Sequence, residues 1–209
     1  MKRIDRRHAT TGIAAAGSAL LIAPAVTLGA VATPRQTRGP FYPMALPADH
    51  DNDLVRVTGM DAQALGIVAH VSGRVLDGDG APLTNALVEI WQCDAHGVYH
   101  HPRDGGGRDP GFQGYGRVMT DADGRYAFRT IKPVPYSGRT PHIHFAATPA
   151  GGRTLTTQLY VAGEPRNERD FVLGRITDPD QRANVVRPFE PVPEIETGAL
   201  KARFDIRLG

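Results

Sequence analysis

The sequence predicts an all-β protein, an antiparallel β-sandwich with long loops at one end and little helix. Three observations carry that expectation. Glycine and proline are abundant, 24 and 17 of 209 residues, and they cut the chain into short apolar runs. Several runs alternate apolar and polar residues with the period of two that a strand presents to a core. Turn signals such as Gly78–Pro82 (GDGAP), Asp121–Gly124 (DADG) and Pro149–Gly152 (PAGG) separate them. The length suits one domain with a sizeable core plus extra segments.

The first segment reads as a targeting signal rather than as structure. Lys2, Arg3, Arg6 and Arg7 form a basic start, and an Ala-rich apolar run from Gly12 closes on Ala30-Val31-Ala32, a small-x-small cleavage pattern. The pair Arg6-Arg7 resembles a twin-arginine export signal, the route taken by proteins that fold and acquire a cofactor before export. An uncleaved membrane anchor is the alternative; Pro24, several glycines and modest hydrophobicity favour cleavage. The expectation is therefore a periplasmic or extracellular protein without stable membrane insertion of its mature chain. Residues 1–32 carry a charge of +3 against +2 for the whole chain, so the remainder sits near −1. That balance gives no case for nucleic-acid or anionic-membrane binding.

Residues 33–65 form an N-terminal arm, and 66–209 the sandwich domain. The arm opens TPRQTRGPFYP, and its pair Phe41-Tyr42 favours a strap docked on the domain over a loose tail. Ile67–Asp77 reads as the first strand and Asn85–Cys93 as the second, with Leu87, Glu89 and Trp91 on one face and Val88 and Ile90 on the other. A loop rich in Gly, His and Asp spans Asp94–Gly116. Gly116–Thr120 and Arg125–Ile131 then read as one hairpin, and His142–Thr148 with Thr154–Val161 as another. The polar segment Glu164–Asp180 has room for short helix, and Arg203–Leu208 alternates as a last strand. The single cysteine, Cys93, excludes an internal disulfide and reads as a small buried filler.

Chemistry concentrates in Pro133–Phe145, PVPYSGRTPHIHF, where Tyr136, Arg139, His142 and His144 fall within nine residues. On a strand, His142 and His144 point to the same face about 7 Å apart and can share a metal ion. No HExxH, CxxC or EF-hand pattern is present. An isolated His-x-His is equally compatible with a chance surface pair. Tyrosine beside it changes the balance, because hard phenolate oxygen suits Fe(III). Two tyrosinates, two imidazoles and a hydroxide make a neutral ferric site. Tyr136 is one candidate, and Tyr99 in HGVYHHP the other. Tyr115 and Tyr126 read as packing residues, Tyr160 as packing or support beside the site, and His100 and His101 as loop polarity or supporting contacts.

These motifs resemble the catalytic domain of the intradiol ring-cleavage dioxygenases, the protocatechuate/catechol family of non-haem Fe(III) enzymes. The likeness runs from about Gly39 to Leu208. It is carried by GPFYP, GRVLDGDGAPLTNALVEIWQCDAHGVYHH, FQGYGRVMTDADGRYAFRTIKPVPY, PHIHF, TTQLYVAGEP and RFDIRL. The resemblance implies that Tyr99, Tyr136, His142 and His144 bind one Fe(III), with Tyr136 and His142 axial and Tyr99 and His144 equatorial. It implies that Arg139 and Gln158 line the substrate pocket, and that Tyr136 takes a substrate proton as it dissociates. The implied reaction is intradiol cleavage of a catechol-type diol with O2 to a muconate-type diacid.

Two features depart from the family. Five residues separate Tyr136 from His142, fewer than in the protocatechuate enzymes, so substrate identity stays open. No long helical N-terminal region of the dimerising kind is present; in this the chain is similar to the protocatechuate-type subunit, and a homo-oligomer stays open. Two other readings remain. One is a cupin-like Fe(II) oxygenase using His142, His144, another histidine and a carboxylate. The other is an exported, non-catalytic, prealbumin-like sandwich used for binding, which DGDGAPLTNALVEIW followed by TDADGRYAF also suits.

Overall fold

The computed structural model describes residues 31–209, so the signal expected over 1–32 lies almost wholly outside the described residues. The strands are β1 (Val68–Leu76), β2 (Leu87–Trp91), β3 (Tyr115–Met119), β4 (Arg125–Ile131), β5 (His142–Thr148) and β6 (Leu155–Val161). Four short strands follow a single helix α1 (Pro179–Val185): β7 (Val186–Arg187), β8 (Glu190–Pro191), β9 (Leu200–Arg203) and β10 (Ile206–Arg207). They form the expected sandwich. In the first sheet β4 lies on one edge of β1, while β9 and β10 follow each other along its other edge and β8 pairs with β9. The second sheet runs β3-β2-β5-β6-β7.

The alternation visible in the sequence decides which residues meet between the sheets. From the first sheet come Val71, Val75, Tyr126 and Phe128; from the second, Val88, Ile90, Ile143, Phe145 and Leu159. Phe145 is central, with ring centroids 5.0 Å from Phe204, 6.0 Å from Tyr126 and 6.5 Å from Phe128. Cys93 is buried as a filler, and burial pushes its thiol up to about 12. Among the described residues no helix is long and apolar enough to cross a membrane.

Three details differ from expectation. The sheets are mixed, because β1 pairs in parallel with β9 and β10, and β6 with β7. The runs Gly116–Thr120 and Arg125–Ile131 are not a hairpin: β3 pairs with β2 and β4 with β1, so the DADG turn carries the chain between sheets. The reason is a close approach at Gly124, whose carbonyl accepts from Val75 N and whose added Cβ would stand 2.7 Å from the Val75 carbonyl oxygen. Third, the closing run divides into β9 and β10. Phe204 N donates to Ser72 O, and the Phe204 carbonyl crosses Gly73 so closely that a Cβ there would lie 1.8 Å from its oxygen. Only glycine permits that crossing.

The outer face of the second sheet positions the site. Cross-strand register places Trp91 beside His144, His144 beside Gln158 and His142 beside Tyr160. Neighbouring side chains in register share a face, so this row stands opposite Ile143 and Phe145. The arm lies over it as a strap: Thr33 N bonds Arg207 O, Gln36 N bonds Thr156 O, and Phe41 and Tyr42 pack with Trp91, Tyr99 and Tyr115.

Candidate metal centre

His142 and His144 project from one face of β5, their ring centroids 4.8 Å apart and both 1% exposed. Tyr136 joins them through a tight turn. Arg139 N donates to Tyr136 O at 2.7 Å, with φ of 40° at Ser137 and 78° at Gly138. Paired positive φ values belong to the tightest hairpin turns. The short Tyr136–His142 connection thus folds Tyr136 back until its ring centroid is 5.5 Å from that of His142.

Tyr99 arrives on a loop shaped by buried carboxylates. Asp94 Oδ1 accepts from His96 N and Val98 N, and its Oδ2 from Asp109 N. Asp104 Oδ2 accepts from Tyr99 N itself at 2.8 Å. Gly97, at φ 78°, lets this loop meet the next, since a Cβ there would lie 3.1 Å from Pro135 O. The Tyr99 ring stacks on Phe41 at 4.7 Å and lies 5.0 Å from Tyr136 and 6.2 Å from His144. The structure therefore brings all four expected ligands together.

The donor set fits a bound cation. Tyr99 Oη, His142 Nε2 and His144 Nδ1 are buried without hydrogen-bond partners, and native proteins rarely leave such atoms unpaired. His142 Nδ1 lies 2.7 Å from the Thr140 carbonyl, which can only accept. Nδ1 therefore carries the proton, leaving a lone pair on Nε2. Burial, helped by the Arg139 charge, lowers His142 to about 4. Burial and then His142 hold His144 well below the usual imidazole range. Both rings are neutral, as ligands must be. Burial pushes Tyr99 well above the usual phenol range, and the nearby Tyr136 phenol raises it further. Burial also raises Tyr136, with Arg139 opposing. These phenols ionise only beside a strong positive charge, which a ferric ion provides. Among the described residues no group of three or more His, Cys, Asp and Glu side chains is placed to hold a metal. The cupin-like reading therefore lacks its donors there.

Arg139 and Gln158 meet beside the histidines. Arg139 Nη2 donates to Gln158 Oε1 at 2.8 Å, and Arg139 pairs with buried Asp170. Gln158 Nε2 donates to Thr37 O, its backbone N to Gln36 Oε1, and Tyr160 Oη to its Oε1. Tyr160 thus supports the site. His101 stands edge-on to Phe41 and its Nδ1 accepts from Arg103 N; His100 packs against Phe112. Both act as loop residues.

The residues missed from sequence are those that wall and brace the site. Trp91 stacks on His144 at 4.9 Å with planes 4° apart. Glu89, buried, accepts hydrogen bonds from the hydroxyls of Tyr42 at 2.7 Å and Tyr115 at 2.6 Å, pinning the strap. Gly39, at φ 70°, comes so close that an added Cβ would stand 3.2 Å from His144 Cε1. GPFYP was the signal for that approach. Gln36 and Asp170 had none.

Comparison with known proteins converges on one group. A family model described as a dioxygenase matches residues 37–209. The chain is 40% identical over 172 residues to the protocatechuate 3,4-dioxygenase beta chain of Burkholderia cepacia, covering 78% of this chain and 72% of that one. It is 35% identical over 159 residues to catechol 1,2-dioxygenase of Acinetobacter baylyi, covering 67% and 50%. It thus spans about half the length of that catechol relative. Among solved structures, the dioxygenase domain of a dioxygenase–carbohydrate-binding fusion from Streptomyces sp. SirexAA-E superposes with a TM-score of 0.65 at 34% identity. That match covers 85% of this chain and 98% of the other.

Proposed function

This chain belongs to the intradiol ring-cleavage dioxygenases, and from that premise we propose that it cleaves a catechol-type diol between its two hydroxylated carbons. Both atoms of O2 enter the product, a muconate-type diacid. The observation that carries this reading is the convergence of Tyr99, Tyr136, His142 and His144 on one spot with three buried polar atoms unpaired. These four would hold Fe(III), whose Lewis acidity favours the diol dianion and its attack by O2.

The chain's own residues divide the remaining work. Tyr136 is half-buried and close to the Arg139 charge, whereas Tyr99 is fully enclosed. Tyr136, as a phenolate, would thus be the residue suited to give way to substrate and take its proton at Oη. Arg139, 6% exposed, offers a fixed guanidinium to negative charge developing on the diol oxygens. Gln158 shares that guanidinium and lines the same face. Phe41, Trp91 and Tyr42 wall the histidine side and exclude water. The named relatives act on protocatechuate, catechol and hydroxyquinol. We further propose that the protein acts outside the cytoplasm, on the support of Arg6-Arg7 and the apolar run that follows.

The test is optical. Tyrosinate bound to Fe(III) absorbs visible light, so the iron-loaded protein should be red to burgundy. With a diol panel, ultraviolet absorption should pass from catechol to diacid. Tyr136→Phe should shift the colour and slow turnover. A fully iron-loaded but colourless protein would refute the assignment.

A further inference from the structure

Arg139 leaves a turn that does little to aim it. Ser137 and Gly138 beside it are exposed, and an unrestrained arginine samples many rotamers. Asp170 removes that freedom. Its carboxylate, 0% exposed, accepts from Arg139 Nε at 2.7 Å and from Nη2 at 3.3 Å. The carboxylate is itself immobile, because Thr140 N donates to Oδ2 at 3.0 Å while Val172 N and Leu173 N donate to Oδ1 at 3.0 and 2.9 Å. Those amides belong to the residues leading into β5 and to the turn preceding α1, so one side chain locks two segments to the guanidinium. On the opposite side, Nη2 also meets Gln158 Oε1, which Tyr160 and the strap hold in place. Among the described residues Nη1 makes no hydrogen bond of good geometry, and the phenols of Tyr136 and Tyr160 lie near the guanidinium.

Net stability is a weak reason for this arrangement, although removing one partner alone would leave a buried charge uncompensated. Desolvating a buried ion pair costs about as much as its attraction returns, and apolar replacements often do as well. What the pair does supply is direction: two guanidinium nitrogens are spoken for by protein, and the third is left for the site. Preorganised charge of that kind stabilises a transition state without reorganising when the charge appears.

We propose that Asp170 is a positioning residue for ring cleavage, aiming Nη1 of Arg139 at the diol oxygen that gains negative charge. This rests on the function proposed above. Asp170→Asn keeps the shape and an acceptor for the two turn amides but removes the anion from Nε.

The experiment is a kinetic cycle on full-length, iron-loaded protein: wild type, Asp170→Asn, Arg139→Gln and the double variant, with a catechol-type diol. Asp170→Asn should lower kcat by about 10- to 100-fold, the usual effect of removing an orienting partner, with a smaller change in KM. Its visible spectrum before substrate should stay close to wild type, because none of the four proposed iron ligands is replaced. In the Arg139→Gln background the same change should cost less than about threefold, since the residue it acts through is gone. A loss that multiplies undiminished onto Arg139→Gln overturns the proposal in favour of a plain folding role. So does a single-variant loss below about threefold. If Asp170→Asn does not fold, Asp170→Glu takes its place in the cycle, keeping the charge while displacing it by one methylene. A wild type that is colourless and inert removes the function and this role together. A coloured, active wild type with an indifferent Asp170→Asn removes only this role.

Discussion

Tyr99→Phe should stabilise the metal-free protein and destabilise the iron-loaded one. Tyr99 is 2% exposed, and its hydroxyl makes no hydrogen bond of good geometry, its polar neighbour being the Tyr136 phenol. Leaving such a group buried and unsatisfied costs about 1–3 kcal/mol. Phenylalanine removes the hydroxyl and retains the ring, so the stack on Phe41 at 4.7 Å and the edge contact with Tyr136 at 5.0 Å persist. For a chain of this size each kcal/mol moves Tm by about 2–4 °C, so the chelated variant should melt about 2–12 °C above chelated wild type. Iron reverses the order. A ligand that binds only the folded state stabilises it in proportion to the logarithm of its affinity, and a 100-fold loss of affinity removes about 2.7 kcal/mol. Calorimetric melts with and without a strong chelator read both effects. A variant that melts below wild type in chelator would show that the phenol is satisfied within the fold. An iron-induced rise of equal size in both proteins would remove Tyr99 from the ligand set.

Two other expectations concern stability and address. Glu196 accepts from Arg129 Nη2 at 2.6 Å and Nε at 2.8 Å and meets His70 Nε2 at 3.0 Å; these partners, Arg129 foremost, hold its carboxyl down to about 2. A carboxyl lowered by folding stabilises above its unfolded value of 4.5 and loses that contribution as pH falls toward 2. Acid titration of Glu196→Gln should therefore show a shallower loss of stability across that window, and a slope identical to wild type would remove the pair from the balance. If Arg6-Arg7 opens an export signal as proposed, replacing both by lysine should keep the protein in the cytoplasm with residues 1–32 attached, as fractionation and the N-terminal sequence would report; a distribution identical to wild type would remove the twin-arginine assignment.

The strands were readable because their signal is local. Alternation along Val68–Leu76 and Arg125–Ile131 needs only neighbours to be seen, and burial follows it. Pairing is another matter. DADG has the chemistry of a hairpin turn, and nothing within those residues says that Gly124 will lie against Val75 and send β4 to the other sheet. RFDIRL likewise alternates like one strand. Its division is set by Gly73, more than a hundred residues earlier, where the missing side chain admits the Phe204 carbonyl.

The same distinction separates the ligands from the residues that aim them. His142 and His144 announce themselves by spacing on one strand, and Tyr136 by a turn short enough to bring it back. Tyr99 is a candidate from its loop, HGVYHHP, and the resemblance supports it, but a tyrosine in a polar loop carries no mark of its partner. Asp170 is harder still. It lies in the polar segment Glu164–Asp180, yet its side chain is fully buried against an arginine 31 residues away. Gln36 reaches Gln158 across 122 residues. An aspartate becomes an orienting group when the fold withdraws water and offers three amides and a guanidinium at once, and no single one of those contacts has a sequence period. Sequence patterns therefore favour groups that must share a face of one element. Groups that act by fixing another side chain come into view only when the separate loops are brought together.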